Sequence, residues 1–230
     1  MKNVSLYVVP IRKLSSKYNA EYLNSLQGDI VTLKEKHFNS TQKNYKPFID
    51  KKEGAIGNTL FLNELSLKLG CKIILIHNID TADGLTNGQL GNLESIIYTN
   101  DGEPDKLIVT LQKKDAGAEN RKKYKNFVQK FPNSVIIEKV TVNYSIRKKG
   151  ENIGATASLI QFPVKLAHAI TAHKIQSKTI PKPLEVAFDL RTIFEEAQGY
   201  VMISGVQALS QTYILEELIQ KSCIHQREIW

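Results

Sequence analysis

The chain is 230 residues long, 42% hydrophobic and 23% charged, which supports a packed core and excludes a disordered or fibrous protein. Its 31 Lys and Arg against 23 Asp and Glu leave a formal charge of +8 and a pI near 9.3, a balance that favours nucleic acid or an acidic membrane surface over acidic protein partners. Cys71 and Cys223 stand far apart with no second Cys or His at ligand spacing, and no apolar stretch reaches a membrane span, so a disulfide framework, a zinc knuckle and a membrane anchor are not expected.

Val4 to Val9 reads as a buried strand. After Pro10, the residues Tyr18, Tyr22, Leu23 and Leu26 share one helical face, with Ser15 or Ser16 as N-cap and Gly28 as the stop. Ile30 to Leu33 reads as a second short strand. From Leu60 the pattern changes, because Leu65, Leu67 and Leu69 alternate with polar residues, Ile73 to Ile76 is an apolar run, and Asn87-Gly88 is a hairpin dipeptide. The β-rich stretch continues through Leu93 to Tyr98, a turn over Asn100 to Pro104, a strand from Leu107 to Leu111, and a long strand from Val135 to Ile146. Between the last two, Tyr124, Phe127, Val128 and Phe131 keep helical spacing among Arg121, Lys122, Lys123 and Lys125. That stripe reads as a packed helix face, with base stacking as the alternative.

The last third alternates again: a helix from Val164 to Gln176, a strand from Leu184 to Asp189, a short helix near Phe194, a strand from Tyr200 to Ser204, and a Leu-rich segment from Tyr213 to Ile219. Alternating strands and helices predict a parallel sheet. The expected architecture is one α/β domain built from residues 1–57 and 155–230, interrupted by a β-rich insertion over 58–154.

The segment Thr171-Ala172-His173-Lys174-Ile175-Gln176-Ser177-Lys178-Thr179 carries the most chemistry. It sets an imidazole, an ammonium, an amide and hydroxyls together, a donor set that can grip a phosphate; a solvated helix end is the alternative. His168 and His173 lack a carboxylate or Cys to complete a metal site, so His168 is expected in the core or at an interface and no metal is expected.

This window resembles the fifth motif of Pif-type and RecD-like superfamily 1 DNA helicases, T-x-H-K-x-Q-G-x-T, with Thr171, His173, Lys174, Gln176 and Thr179 matching and Ser177 in place of the glycine. Downstream, Tyr200-Val201-Met202-Ile203-Ser204-Gly205 resembles the sixth motif, Y-V-x-x-S-R, with Gly205 in place of its arginine. Upstream, Leu65 to Asn78, followed by Gly84-Leu85-Thr86-Asn87-Gly88 and Gly91, is similar to the signature with which these helicases enter an inserted β-barrel domain. Asn19, Tyr22, Leu23 and Asn24 resemble the preceding helix, and Gln161-Phe162-Pro163 is most similar to the Helitron-type members.

The resemblance implies an α/β fold in which a second RecA-like, P-loop NTPase-type parallel-sheet domain is interrupted by a small β-barrel-like insertion. It implies ATP and Mg²⁺ as cofactors of the intact family, single-stranded DNA as a partner, and an ATP-binding domain upstream of the part covered here. None of the 13 glycines is followed by Lys, so the loop G-x-x-x-x-G-K-[ST] that cradles phosphates is absent from this sequence. Gly205 cannot supply the arginine finger that stabilises charge on the transferred phosphoryl group; Arg191 and Arg227 are the alternatives. The isolated chain is therefore expected to use no cofactor and to be a partial helicase, inactive alone, in an intracellular, nuclear setting. A non-catalytic nucleic-acid-binding protein is the second reading. In both, His173, Lys174, Gln176 and the run Arg147-Lys148-Lys149 are the expected DNA contacts.

Overall fold

The computed structural model describes residues 4–34, 36–39, 55–56, 59–127, 129–148, 151–175, 180, 182, 184–191, 193 and 198–215, with side chains described outside 37–39, 145–148 and 151–155. In chain order the elements are β1 (Leu6–Val9), α1 (Arg12–Ser25), β2 (Val31–Lys34), β3 (Lys36–Asn39), β4 (Glu64–Leu67), β5 (Lys72–Leu75), β6 (Leu90–Tyr98), β7 (Pro104–Leu111), α2 (Ala118–Lys123), β8 (Ser134–Glu138), β9 (Val140–Lys148), β10 (Glu151–Gln161), β11 (Val164–Leu166), β12 (Ala169–Thr171), α3 (Ala172–Ile175), β13 (Val186–Phe188), α4 (Gln198–Ser204) and β14 (Thr212–Ile214). They form two compact units, Met1–Asn24 with Ala167–Trp230, and Ser25–Leu166.

The first unit is built on a parallel sheet in the order β12-β1-β13-β14. Parallel strands are covered on both faces and so read as unbroken apolar runs, which is why Leu6, Val8, Val9, Val186, Ala187 and Phe188 are all buried. The α/β class expected from the alternation is what the chain adopts. The second unit is antiparallel throughout, with sheets β11-β5-β6-β7-β8, β3-β10-β9 and β2-β4. The units divide after Asn24 and Leu166, whereas the pattern change along the sequence lies near Asn58 and Gly154. Pairing explains the difference: β2 joins β4, and β3 and β9 join β10, so segments flanking the insertion belong to its antiparallel sheets.

Several local expectations are corrected. Val164 to Gln176 is not one helix but β11, β12 and the four-residue α3. Val164 pairs with Leu75 and Ile170 with Val8, and an apolar run this short fits either period until a sheet edge takes up its backbone groups. Tyr200 to Ser204 is helix α4 rather than a strand, so Val201 does not share the sheet of Val8 and Val186. Tyr200 is 75% exposed and Met202 wholly buried, and the sheet position anticipated for this segment is taken by β14. The long strand from Val135 breaks at Lys139 into β8 and β9, which enter different sheets. The helix expected around the Tyr124–Phe131 stripe instead ends at Lys123, N-terminal to it. The segments near Phe194 and over 216–219 lie outside the described residues.

The glycine-rich signature explains itself structurally. Gly84 adopts φ 74° beside Leu85, which is buried. The Asn78 side-chain oxygen accepts from the Asn87 backbone N–H at 2.8 Å, and the Gly88 N–H donates to the Leu75 carbonyl at 2.7 Å, so Asn87-Gly88 closes a longer loop rather than a two-residue hairpin. At Gly91 in β6, a Cβ would lie 2.7 Å from the Thr110 carbonyl oxygen and 2.8 Å from Val109 Cγ1, leaving room only for hydrogen.

Candidate functional site

In open parallel sheets, ligands bind outside the carboxyl ends of the strands. Here β12 runs at that edge directly into Ala172-His173-Lys174-Ile175, β1 into Pro10 and α1, and β13 into Asp189-Leu190-Arg191. Ala172 and Ile175 are buried and anchor α3, His173 is exposed, and Thr171 and Lys174 are half-buried. Thr171, His173 and Lys174 thus sit at the carboxyl edge of the parallel sheet. Gln176, Ser177 and Thr179 lie outside the described residues.

What fixes β12 is a side chain of α1. Asn19 Nδ2 donates to the Ala169 carbonyl at 2.9 Å while its Oδ1 accepts from the Ala169 N–H at 2.8 Å, and Ser15 Oγ donates to the same carbonyl at 2.8 Å. The Asn19 amide therefore imitates a neighbouring strand, two residues before Thr171. His168 stacks on Tyr22 with centroids 4.0 Å apart and rings 4° from parallel, so it is a packing ring, as the sequence led one to expect. Ser15 serves this lock rather than the helix N-cap, because α1 already begins at Arg12.

The second cluster lies at the end of β13. Asp189 is wholly buried. Arg191 grips it in a fork, Nε to Oδ1 at 2.8 Å and Nη2 to Oδ2 at 2.6 Å, and Tyr18 joins by donating to Oδ2 at 2.6 Å while accepting from Arg191 Nη2 at 2.6 Å. The Arg191 guanidinium holds the Asp189 carboxyl down to about 2, against the rise that burial alone would cause. Burial and the adjoining carboxylate push the Tyr18 hydroxyl up to about 12. Sequence reasoning named Arg191 only as a stand-in cation and missed Asp189 and Tyr18; the available signal was an acid closing a buried apolar strand with Arg two residues on.

Ile180, the residue after the Thr171–Thr179 window, is tied through main chain to the segment that follows α4. The Ile180 N–H donates to the Gly205 carbonyl at 2.7 Å, and the Gln207 N–H donates to the Ile180 carbonyl at 3.1 Å. Gly205 is buried just past α4, Tyr200 and Ser204 are exposed, and Val201 is half-buried. Arg147 and Lys148 belong to β9 in the other unit, where their backbone is described, and Lys149 lies outside the described residues. Among the described residues no group of three or more His, Cys, Asp or Glu could hold a metal, and no helix is long and apolar enough to cross a membrane. Cys71 is buried, which pushes its thiol up to about 11 and leaves it unreactive at neutral pH.

Comparison with known proteins matches residues 57–95 to the family described as "DNA helicase Pif1, 2B domain". The ATP-dependent DNA helicase Pif1 of Campylobacter jejuni is 30% identical over 196 residues, covering 84% of this chain and 38% of that protein. The Candida albicans ATP-dependent DNA helicase PIF1 is 25% identical over 287 residues, covering 96% and 30%. The chain belongs to the Pif-type superfamily 1 helicases. It matches their C-terminal part and spans well under half the length of these relatives.

The crystal structure of Candida albicans Pif1 helicase superposes with a TM-score of 0.65 at 20% identity, covering 96% of this chain and 47% of that one. Bacteroides Pif1 bound to ssDNA gives 0.62 at 19% identity, covering 96% and 43%. These likenesses establish the fold, one RecA-like α/β unit and one unit of antiparallel sheets, and the Pif-type homology establishes a helicase-related protein.

Proposed function

We propose that this chain supplies the half of a Pif-type DNA helicase that binds single-stranded DNA and closes over ATP, and that by itself it does not hydrolyse ATP. The observation that carries the reading is the run Thr171-Ala172-His173-Lys174 at the carboxyl edge of the parallel sheet, directly after the strand residue Ala169, which Asn19 holds through both backbone groups. The residues present fit one side of a nucleotide. A hydroxyl, an imidazole, an ammonium and the Arg191 guanidinium lie on this sheet edge, while the glycine-rich cradle for the phosphates occurs nowhere in the 230 residues. When bound, ATP with Mg²⁺ supplies the phosphoryl chemistry; this chain's part is to position charge beside it and couple that to DNA.

An upstream ATP-binding domain is the partner this reading requires. A second reading, a basic nucleic-acid-binding protein without catalysis, is favoured specifically by Gly205, which puts no cation where the family's motif has arginine. The deciding experiment measures oligo(dT) binding by fluorescence anisotropy and DNA-stimulated phosphate release, on the chain alone and after fusion to the ATP-binding domain of the Campylobacter relative. The proposal expects salt-sensitive DNA binding in both forms, no phosphate release by the chain alone, and nucleotide binding only in the fusion. Phosphate release by the isolated chain overturns it, and a fusion that binds DNA but no nucleotide favours the second reading.

A further inference from the structure

The stripe around Tyr124 is resolved differently from either sequence reading. Tyr124 and Phe131 pack against the buried pair Ile108 and Ile136, so they are core. Phe127 is 47% exposed, its ring edge-on to Tyr124 at 6.4 Å. Around it, the stretch from Lys113 to Lys130 holds seven basic and two acidic residues, a net of +5 out of the chain's +8. More than half of the net charge thus falls on 18 consecutive positions.

This stretch is held as a platform. The Asp83 carboxylate accepts from the Glu119 and Asn120 N–H groups at 2.9 and 2.8 Å. The Asn120 side chain both donates to and accepts from the Ile136 backbone, at 2.9 and 2.8 Å, stitching α2 to β8. Arg121 donates to the carbonyls of Ala116 and Lys114 at 2.8 and 3.2 Å, neutral acceptors that leave its charge uncancelled. Lys123 lies 4.6 Å from the Tyr124 ring centroid, and Lys123, Lys125 and Lys130 are exposed. The two carboxylates sit on Lys122 at 2.6 Å and Lys113 at 3.6 Å. Exposed cations on a rigid support, with an aromatic ring outside the core among them, are the two elements of a single-strand binding surface: a charged track for phosphates and a face on which a base stacks.

We propose that α2 and the turn after it, through Lys123, Lys125, Lys130 and Phe127, form a second single-stranded DNA contact, separate from the fifth-motif residues; the inference rests on the DNA-binding reading above. The probe is a labelled oligo(dT) of about 16 nucleotides, with a blunt duplex of equal length as the other arm, titrated at several salt concentrations against the full chain. Neutralising the three lysines together (Lys123→Gln, Lys125→Gln, Lys130→Gln) is expected to flatten the log–log salt slope by about two and to weaken binding at 0.1 M salt by roughly 10- to 100-fold. Phe127→Ala, at an exposed position, is expected to weaken oligo(dT) binding at least about fivefold and leave duplex binding unchanged.

Circular dichroism and thermal midpoints verify that each variant folds. If the lysine variant keeps wild-type affinity and slope while His173→Ala with Lys174→Ala loses binding, this second contact is refuted and the fifth-motif reading stands. If the reverse holds, the α2 contact stands and the fifth-motif reading fails. Equal effects of Phe127→Ala on both probes, or none on oligo(dT), overturn the single-strand assignment, and absence of any binding by the wild type at low salt overturns both readings.

Discussion

The Tyr18–Asp189–Arg191 cluster makes an asymmetric prediction. Its two charged members differ in exposure: the Arg191 side chain is 42% exposed and the Asp189 side chain 0%. Removing the cation in Arg191→Met strands a carboxylate away from water, whereas removing the anion in Asp189→Asn frees a guanidinium that water rehydrates. The Asp189 carboxyl sits at about 2 instead of its ordinary 3.8, which corresponds to about 2 kcal/mol of stability at neutral pH. Breaking a buried pair by deleting one partner costs about 3–5 kcal/mol, and partial exposure of Arg191 places the expected cost of Arg191→Met near the bottom of that range. Asp189→Asn loses charge-assisted hydrogen bonds without burying a charge, for about 1–2 kcal/mol.

The folded-state carboxyl is depressed, so its stabilisation is fully present above about pH 4 and is lost as pH falls through about 2. The deficit of Arg191→Met should therefore narrow between pH 5 and about pH 3, as the stranded acid takes up a proton. Urea unfolding followed by far-ultraviolet circular dichroism at pH 7, 5 and 3 measures both effects. Greater damage from Asp189→Asn at pH 7, or both variants within about 0.5 kcal/mol of wild type, the range of a solvated surface pair, would refute a buried carboxylate that depends on Arg191.

Other outcomes follow from the same geometry. Asn19→Ala leaves the Ala169 N–H and carbonyl without the amide that pairs them; it should cost about 1–3 kcal/mol and weaken oligo(dT) binding, whereas Asn19→Asp restores only the acceptor half, and binding by all three proteins checks this. Gly91→Ala drives a methyl against the Thr110 carbonyl and should destabilise the antiparallel unit by about 1–3 kcal/mol in chemical denaturation. Absorbance titration should show that Tyr18 stays protonated until about pH 12, and Tyr18→Phe should remove that late-ionising phenol from the titration curve. In the fusion with an ATP-binding domain, Gly205→Arg should raise the turnover number by orders of magnitude, with arginine-finger losses elsewhere of about 10³ to 10⁵ as the guide; an unmodified fusion that already turns over as fast means that another residue supplies the charge.

The candidate run was legible because its chemistry is local. Thr171, His173 and Lys174 fall within four consecutive positions, and motif order along the chain needs no folding to be read. The parallel strands β1 and β13 were visible as apolar runs, since a strand covered on both faces has no polar side to show. Short segments were not legible in this way. Val164 to Ile175 contains enough apolar residues for either period, and only the presence of β5 and β1 as partners selected two strands and a single helical turn. Tyr200 to Ser204 is rich in strand-favouring residues, yet β14 occupies the place beside β13, and the segment winds into a helix with Met202 inward.

Composition and order along the chain thus determined the α/β class, the net positive charge, the order of the segments that resemble the two helicase motifs, and the absence of a phosphate-cradling loop from these residues. Only the tertiary structure decided which strands pair, that Asn19 reaches 150 positions along the chain to hold Ala169, and that Tyr18, Asp189 and Arg191 meet. It also separated Phe127 from Tyr124, neighbours in one stripe, into an exposed ring and a packed one. The physical reason is the range of the forces: periodicity and propensity act over a few residues, while hydrogen-bond partners and burial are set by whatever distant segment the fold brings alongside.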